Sequence, residues 1–293
     1  DQPYAYVFTY DWRKDNRITA QILAEFISRI LHVTGVHEKA AGRKSPRKVV
    51  LIGHSMGGMV IKWCATQILP PQKIAKIITI ATPFRGSLKA VEALLPGARN
   101  LFGVENKKSM RHAARTLPGI YQLLPSWPGA LVDSVSGDPL DPFDLSSWQK
   151  NLVDGIAGKY SPDFFPKKLA DARAFLKVMG TPWPKKLLPR VYYAYGIEST
   201  TWRQVKVNRK RDNFYIFSDA VSDEQGDGTV HSLSSIQTEV LGRNRTYIDR
   251  KYPVWDFLAG QHANMPNHPE LKDWILGLLK INPHAGEAFE SPR

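Results

Sequence analysis

One stretch of this chain leaves little freedom in how it can fold. Residues 48–52 (KVVLI) form a short apolar run, residues 53–58 read GHSMGG, and an apolar helical pattern then continues from Met59 to Leu69, where Pro70-Pro71 stop it. A run of that length and β-branched content suits a strand buried on both faces of a parallel sheet. Gly53-His54-Ser55-Met56-Gly57 matches G-x-S-x-G, the pattern that seats a nucleophilic serine on a sharp turn between strand and helix. The small residues let strand and helix approach closely, and the turn lifts the hydroxyl above the sheet. The helix start behind it contributes N–H groups and the positive end of the helix dipole. The N–H of Met56 is thereby placed to meet an oxyanion. Ser55 is the expected nucleophile.

The flanking pattern is that of a doubly wound α/β sheet. Residues 4–10 (YAYVFTY) read as a strand. Asp15 or Asn16 can cap the helix that follows, in which Ile18, Ile22, Leu23, Phe26, Ile27, Ile30 and Leu31 recur at helical spacing. Residues 76–81 (KIITIA) are the next buried strand, and strand–helix alternation of this kind implies right-handed crossovers. The pattern changes after Thr82-Pro83. Residues 85–190 hold 11 of the 21 prolines, together with Trp127, Trp148 and Trp183, a density ill suited to regular buried helices or central strands. This segment is expected to be an inserted lid or cap of short helices and loops, with residues 1–84 and 191–293 forming the core. Its cluster of Leu117, Pro118, Tyr121, Leu123, Leu124, Pro125, Trp127 and Pro128 is too apolar for an idle surface loop. Tyr121, Leu124 and Trp127 are candidate contacts for an acyl chain. The core resumes at 191–196 (VYYAYG). A hairpin is expected from 202–207 and 214–217 around the tip 208–213, then a last strand at 254–258 and a helix at 271–279.

The net charge of +13 favours anionic partners. It is spread along the chain, with clusters at 43–48, 185–190 and 206–211, and neither an RNA-binding signature nor zinc-finger spacing accompanies it. No nucleic-acid partner is expected. The basic tip of Lys206, Arg209, Lys210 and Arg211 suits peripheral contact with an anionic membrane or lipid surface. The single cysteine, Cys64, permits neither an intramolecular disulfide nor a thiolate metal cluster and reads as buried packing. No run approaches the roughly 18 apolar residues of a spanning helix.

A serine hydroxyl needs a base, and behind a G-x-S-x-G elbow the partners follow in the order Ser, acid, His. His262 is best placed, in the loop GQHANM that follows the expected strand at 254–258; His268 is second, and His231 and His284 are further possibilities. His54, beside Ser55, is expected to point elsewhere. Acids available after the 191–196 strand are Asp219, Asp223, Glu224 and Asp227. Asp227 sits in GDGTV, where glycines permit a tight turn that aims a carboxylate inward. Asp11 and Arg13 fall at a strand's carboxyl end, on the active-site side of such a sheet. An ion pair fixing that end is the simpler reading there than a substrate contact.

At this point the motifs combine. YDWR at 10–13, GHSMGG at 53–58, TPFRGS at 82–87, GDGTV at 226–230 and HANM at 262–265 together resemble the lecithin:cholesterol acyltransferase family, a branch of the α/β-hydrolases that acts on lipid esters. The resemblance implies an α/β-hydrolase fold, selects Asp227 and His262 over their neighbours as partners of Ser55, and implies that 85–190 covers an acyl-binding site. It implies acyl transfer from a lipid ester through an acyl-Ser55 intermediate, with no metal or organic cofactor. Rival readings are a small-ester carboxylesterase and a non-catalytic lipid- or partner-binding module. The sequence departs from the usual pattern in one respect: the strand that ordinarily precedes residues 4–10, whose His-Gly-type loop supplies a second oxyanion donor, has no counterpart. The chain is expected to begin partway into the sheet.

Overall fold

The computed structural model describes residues 4–95, 112–197, 199–208, 220–236, 245–248 and 260–280. Among the described residues, four parallel strands form the central sheet: β1 (Val49–His54), β2 (Ile74–Ile80), β5 (Val191–Gly196) and β8 (Arg245–Ile248), in the order β1-β2-β5-β8. Leu51 pairs with Ile77 and Gly53 with Thr79, so the carboxyl ends of β1 and β2 finish together. The apolar runs that announce β1, β2 and β5 in the sequence are the middle of this sheet.

Helices cover both faces. On one, α1 (Asn16–Ala40) buries Ala20, Leu23, Ala24 and Ile27, spaced as one helical stripe, against Leu51, Ile77, Val191 and Tyr193 of the sheet and Ile61 and Cys64 of the following helical segment. The expected stripe is rotated: Ile18 and Ile22 lie on the exposed side of the helix. Asp15 is the N-cap, its carboxylate accepting from the Arg17 N–H. α2 (Met56–Trp63) runs into a wider π turn at Cys64–Ile68 and stops at Leu69, before the two prolines. On the other face, Leu271 of α9 (Pro269–Leu279) and Met265 pack on Ile80, Ala81 and Ala194.

Residues 4–10 are not a strand. They pair with no described strand and run beside α1, where Tyr6 Oη and Thr34 Oγ1 share a 2.8 Å hydrogen bond and the Phe8 and Phe26 rings lie 5.4 Å apart. The alternation of aromatic side chains that suggests a strand here serves a helix surface instead.

The segment after Thr82 builds a second unit. It contains α3 (Leu88–Leu94), α4 (Pro118–Tyr121), β3 (Leu131–Asp133), β4 (Pro139–Leu140), α5 (Lys150–Lys159) and α6 (Phe164–Met179). α6 is a regular 16-residue helix despite the proline density, because Pro166 falls in its first turn, where a missing N–H costs no helical bond. Residues beyond 190 join β3 and β4 in the same small sheet. β6 (Thr201–Val207) pairs in parallel with β3, and β7 (Val221–Asp223) pairs antiparallel with β6, giving a sheet in the order β4-β3-β6-β7. Val205 is buried in the same cluster as Tyr121, Trp127, Trp148, Phe165 and Leu169. The expected hairpin partner at 214–217, the tip residues Arg209, Lys210 and Arg211, and the strand at 254–258 lie outside the described residues; Lys206 is exposed.

This second unit is tied to the central sheet through α2. Lys62 is fully buried and donates to the carbonyls of Met179 and Thr181, at 2.8 Å each, with the Phe84 and Trp183 rings 5.1 and 4.9 Å from its ammonium. Met59 packs with Phe175, Leu176 and Met179 at the same junction. Among the described residues no helix is long and apolar enough to cross a membrane.

Candidate active site

The turn between β1 and α2 holds Ser55 at φ 53°, ψ −129°, a left-handed conformation that costs a non-glycine residue about 1–3 kcal/mol. Surrounding contacts impose it. The Ser55 N–H donates to the Ile80 carbonyl at 2.8 Å, and the Gly58 N–H donates to the Ser55 carbonyl at 3.0 Å. A Cβ on Gly53 would come within 2.6 Å of Ile61 Cδ1, and one on Gly58 within 1.9 Å of Thr82 Oγ1. Gly53 lets α2 follow β1 this closely, and Gly58 lets α2 approach Thr82 beyond the end of β2. Met56 is the first residue of α2, so its N–H has no carbonyl within the helix to meet.

His262 reaches this turn from α8 (Gly260–Asn264). Its Nε2 lies 2.8 Å from Ser55 Oγ and its Nδ1 lies 2.8 Å from Asp227 Oδ2. A carboxylate only accepts, so in the neutral imidazole the proton sits on Nδ1 and Nε2 is left to accept from the serine hydroxyl. Asp227 is buried, and its other oxygen accepts from the N–H groups of Thr229 (3.0 Å) and Val230 (2.7 Å). Three donors therefore fix the carboxylate. The turn carrying it is itself anchored: the Gly228 N–H donates to Thr201 Oγ1 and the Ser87 hydroxyl donates to the Thr229 carbonyl.

Among the described residues, two of the alternatives are paired with each other. Asp223 pairs with His231 Nε2 at 2.8 Å and lies 3.8 Å from Arg203. Because His231 Nδ1 accepts from the Leu233 N–H, this second His–Asp pair is committed to holding the loop around Asp227. Glu224 is exposed, and His268 is buried as the N-cap of α9. Asp219 and His284 lie outside the described residues. Asp11 and Arg13 make an exposed bidentate pair whose hydrogen bonds hold the Asp11 carboxyl down at about 2, which is the ion-pair arrangement. Tyr121, Leu124 and Trp127 are buried in the apolar cluster of the second unit. The Tyr121 hydroxyl donates to the Arg115 carbonyl and the Trp127 indole to the Arg203 carbonyl. Their apolar surface packs in the interior of that unit.

One residue escaped the sequence reading. His54 does not point away from the site: its Nε2–H donates to the main-chain carbonyl of His262 at 2.8 Å, with the two rings 5.0 Å apart. Burial, reinforced by the neighbouring His262, pushes its proton affinity below the usual histidine range. No short-range pattern could have revealed a contact between residues 208 positions apart.

Comparison with known proteins gives this arrangement a context. Residues 5–154, about half of the chain, match the lecithin:cholesterol acyltransferase family. The match includes Ser55 and ends before Asp227 and His262. Phospholipase A(1) LCAT3 of Arabidopsis thaliana is 32% identical over 126 residues, covering 40% of this chain and 26% of the relative. The chain thus spans about a quarter of that relative's length. Among solved structures, a chain of the Tle4-Tli4 complex superposes with a TM-score of 0.53 at 16% identity, covering 76% of this chain and 57% of that one; at that identity the likeness is one of fold. Bacillus licheniformis lipase BlEst2 in mature form aligns at 13% identity with a TM-score of 0.39, over 92% of this chain and 76% of that one.

Proposed function

Since this α/β-hydrolase-fold chain belongs to the lecithin:cholesterol acyltransferase family, we propose that it transfers acyl groups from lipid esters through an acyl-Ser55 intermediate. The observation that carries the proposal is the unbroken chain of 2.8 Å hydrogen bonds from Asp227 through His262 to Ser55, on a strained elbow whose neighbours admit no side chain. His262 Nε2 takes the hydroxyl proton as Ser55 Oγ attacks the ester carbonyl carbon. Asp227 steadies the imidazolium that forms. The Met56 N–H faces the oxyanion of the tetrahedral intermediate, a contact of a kind worth about 10²–10³ in turnover. Collapse of the intermediate returns the proton from His262 to the leaving alcohol and leaves the acyl group on Ser55. A second alcohol or water, deprotonated by His262, then releases it. Water gives hydrolysis and a lipid alcohol gives transfer.

A lipid ester, rather than a small ester, is the proposed donor. Family membership supports this, as does the name of the relative at 32% identity, a phospholipase A(1). The cap unit behind Thr82, including residues beyond 190, is the proposed cover of the acyl site. The test is a chain-length series of p-nitrophenyl esters and a phospholipid in vesicles, with and without a lipid alcohol, read by product analysis. Rates that rise with acyl length and on passing from monomers to an interface are expected. Equal preference for two-carbon acyl groups would refute the lipid assignment.

A further inference from the structure

Building on the proposed roles of Ser55, Asp227 and His262, we infer that His54 is a positioning residue that clamps the base-bearing segment to the nucleophile's own strand. His54 is the last residue of β1, directly before Ser55. Its Nε2–H donates across 2.8 Å to the carbonyl oxygen of His262 itself, not to that of a neighbour. One rigid strand end thus presents the nucleophile at position 55 and, at position 54, the donor that holds the main chain of the base.

This bond does something the side-chain contacts of His262 cannot. The hydrogen bond to Asp227 fixes one end of the imidazole, yet the ring can still swing with its own Cα. Downstream, Met265 anchors the segment in the core against Ile80, Ala81 and Ala194. The His54 bond anchors it at the catalytic position. A displacement near 1 Å at a reacting group can cost about 10²-fold in rate, which is the size of effect such an anchor controls. The ring at hydrogen-bonding distance from Ser55 Oγ is that of His262, while His54 uses its Nε2–H to hold the His262 main chain. Among the described residues, the titratable groups that act on its ring are His262 and Asp227. The neutral state favoured by burial also keeps a second positive charge away from the imidazolium that must form at His262.

The test uses the full chain and two variants. His54→Phe keeps a ring of similar size and removes the donor; His54→Gln places an amide N–H near the position of Nε2. Three quantities are measured: kcat and KM on a short-chain p-nitrophenyl ester, the rate of fluorophosphonate inactivation, and Tm. The expected result for His54→Phe is a fall of about 10–100-fold in both kcat and the inactivation rate, with KM within about twofold. His54→Gln should recover most of that loss. If the wild type labels and His54→Phe labels equally fast, the clamp is refuted alone. Equal losses in Phe and Gln that track Tm would also refute it, since a merely structural residue behaves that way. A wild type that the probe never labels overturns the serine-nucleophile reading, and the clamp with it.

Discussion

Replacing Asp227 with Asn changes one atom and should reverse the polarity of the whole hydrogen-bond chain. Asp227 Oδ1 accepts from two backbone N–H groups, and Oδ2 accepts from His262 Nδ1. In the Asn variant the amide oxygen must stay with the two backbone donors, because an NH2 group there would face two N–H groups. The amide NH2 is then forced towards His262 Nδ1. That nitrogen must accept, so the imidazole proton moves to Nε2, which now points an N–H at Ser55 Oγ and cannot take its proton. Loss of the correct tautomer in this kind of triad costs about 10⁴ in kcat, equivalent to about 5.4 kcal/mol at 1.36 kcal/mol per decade. Stability should change little, since the backbone bonds to Oδ1 survive. The assay is turnover of a p-nitrophenyl ester by Asp227→Asn and by Asp223→Asn, with Tm measured on both. Asp223 holds His231, not His262, so its variant should retain far more activity. A loss below about tenfold for Asp227→Asn, or a larger loss for Asp223→Asn, would refute the argument.

Three further outcomes are expected. Lys62→Met leaves the Met179 and Thr181 carbonyls without their charged donor; the cost should be about 1–3 kcal/mol, seen as a Tm lower by several degrees, and an unchanged Tm would contradict the anchoring role. Burial pushes the Cys64 thiol up to about 12, so iodoacetamide at pH 8 should leave the native chain unmodified and alkylate it once unfolded; stoichiometric labelling of native protein would count against this packing. His54 has a folded-state proton affinity lowered first by burial and then by His262, so the unfolded chain binds the extra proton. The stability this contributes is present above about pH 6.5 and is lost as pH falls through the lower folded value. Chemical denaturation of His54→Gln should show a shallower acid-side loss than wild type, and identical pH profiles would refute the linkage.

The sequence made the nucleophile turn legible because its chemistry is local. A buried strand, a serine between small residues and a helix start occupy one continuous stretch, and β1, α2 and β2 follow from it. β5 was equally plain as an apolar run. Asp227 and His262 could be ranked among their neighbours, since glycines around an acid and a loop position after a strand are local signals, but the closure of the chain of bonds is a property of three dimensions. Residues 4–10 misled because alternating aromatics specify an extended, two-sided segment and not its partner; α1 takes that part. α6 was obscured by averaging prolines over a hundred residues, when what mattered was that Pro166 stands in a first turn. β8 (RTYI) is too short and too polar for periodicity to register. β6 reads as a strand in the sequence, but its pairing with β3 across some 70 residues has no signature in either segment.

The central claim, that Ser55 carries the acyl group, is tested most directly by trapping that intermediate. The wild-type chain is mixed with a p-nitrophenyl acyl ester, quenched in acid during the first turnover, and read by intact mass and peptide mapping. The account predicts one added acyl group, located on Ser55, absent from Ser55→Ala and strongly reduced in His262→Ala. Turnover without any adduct, or an adduct on another residue that persists in Ser55→Ala, would contradict it.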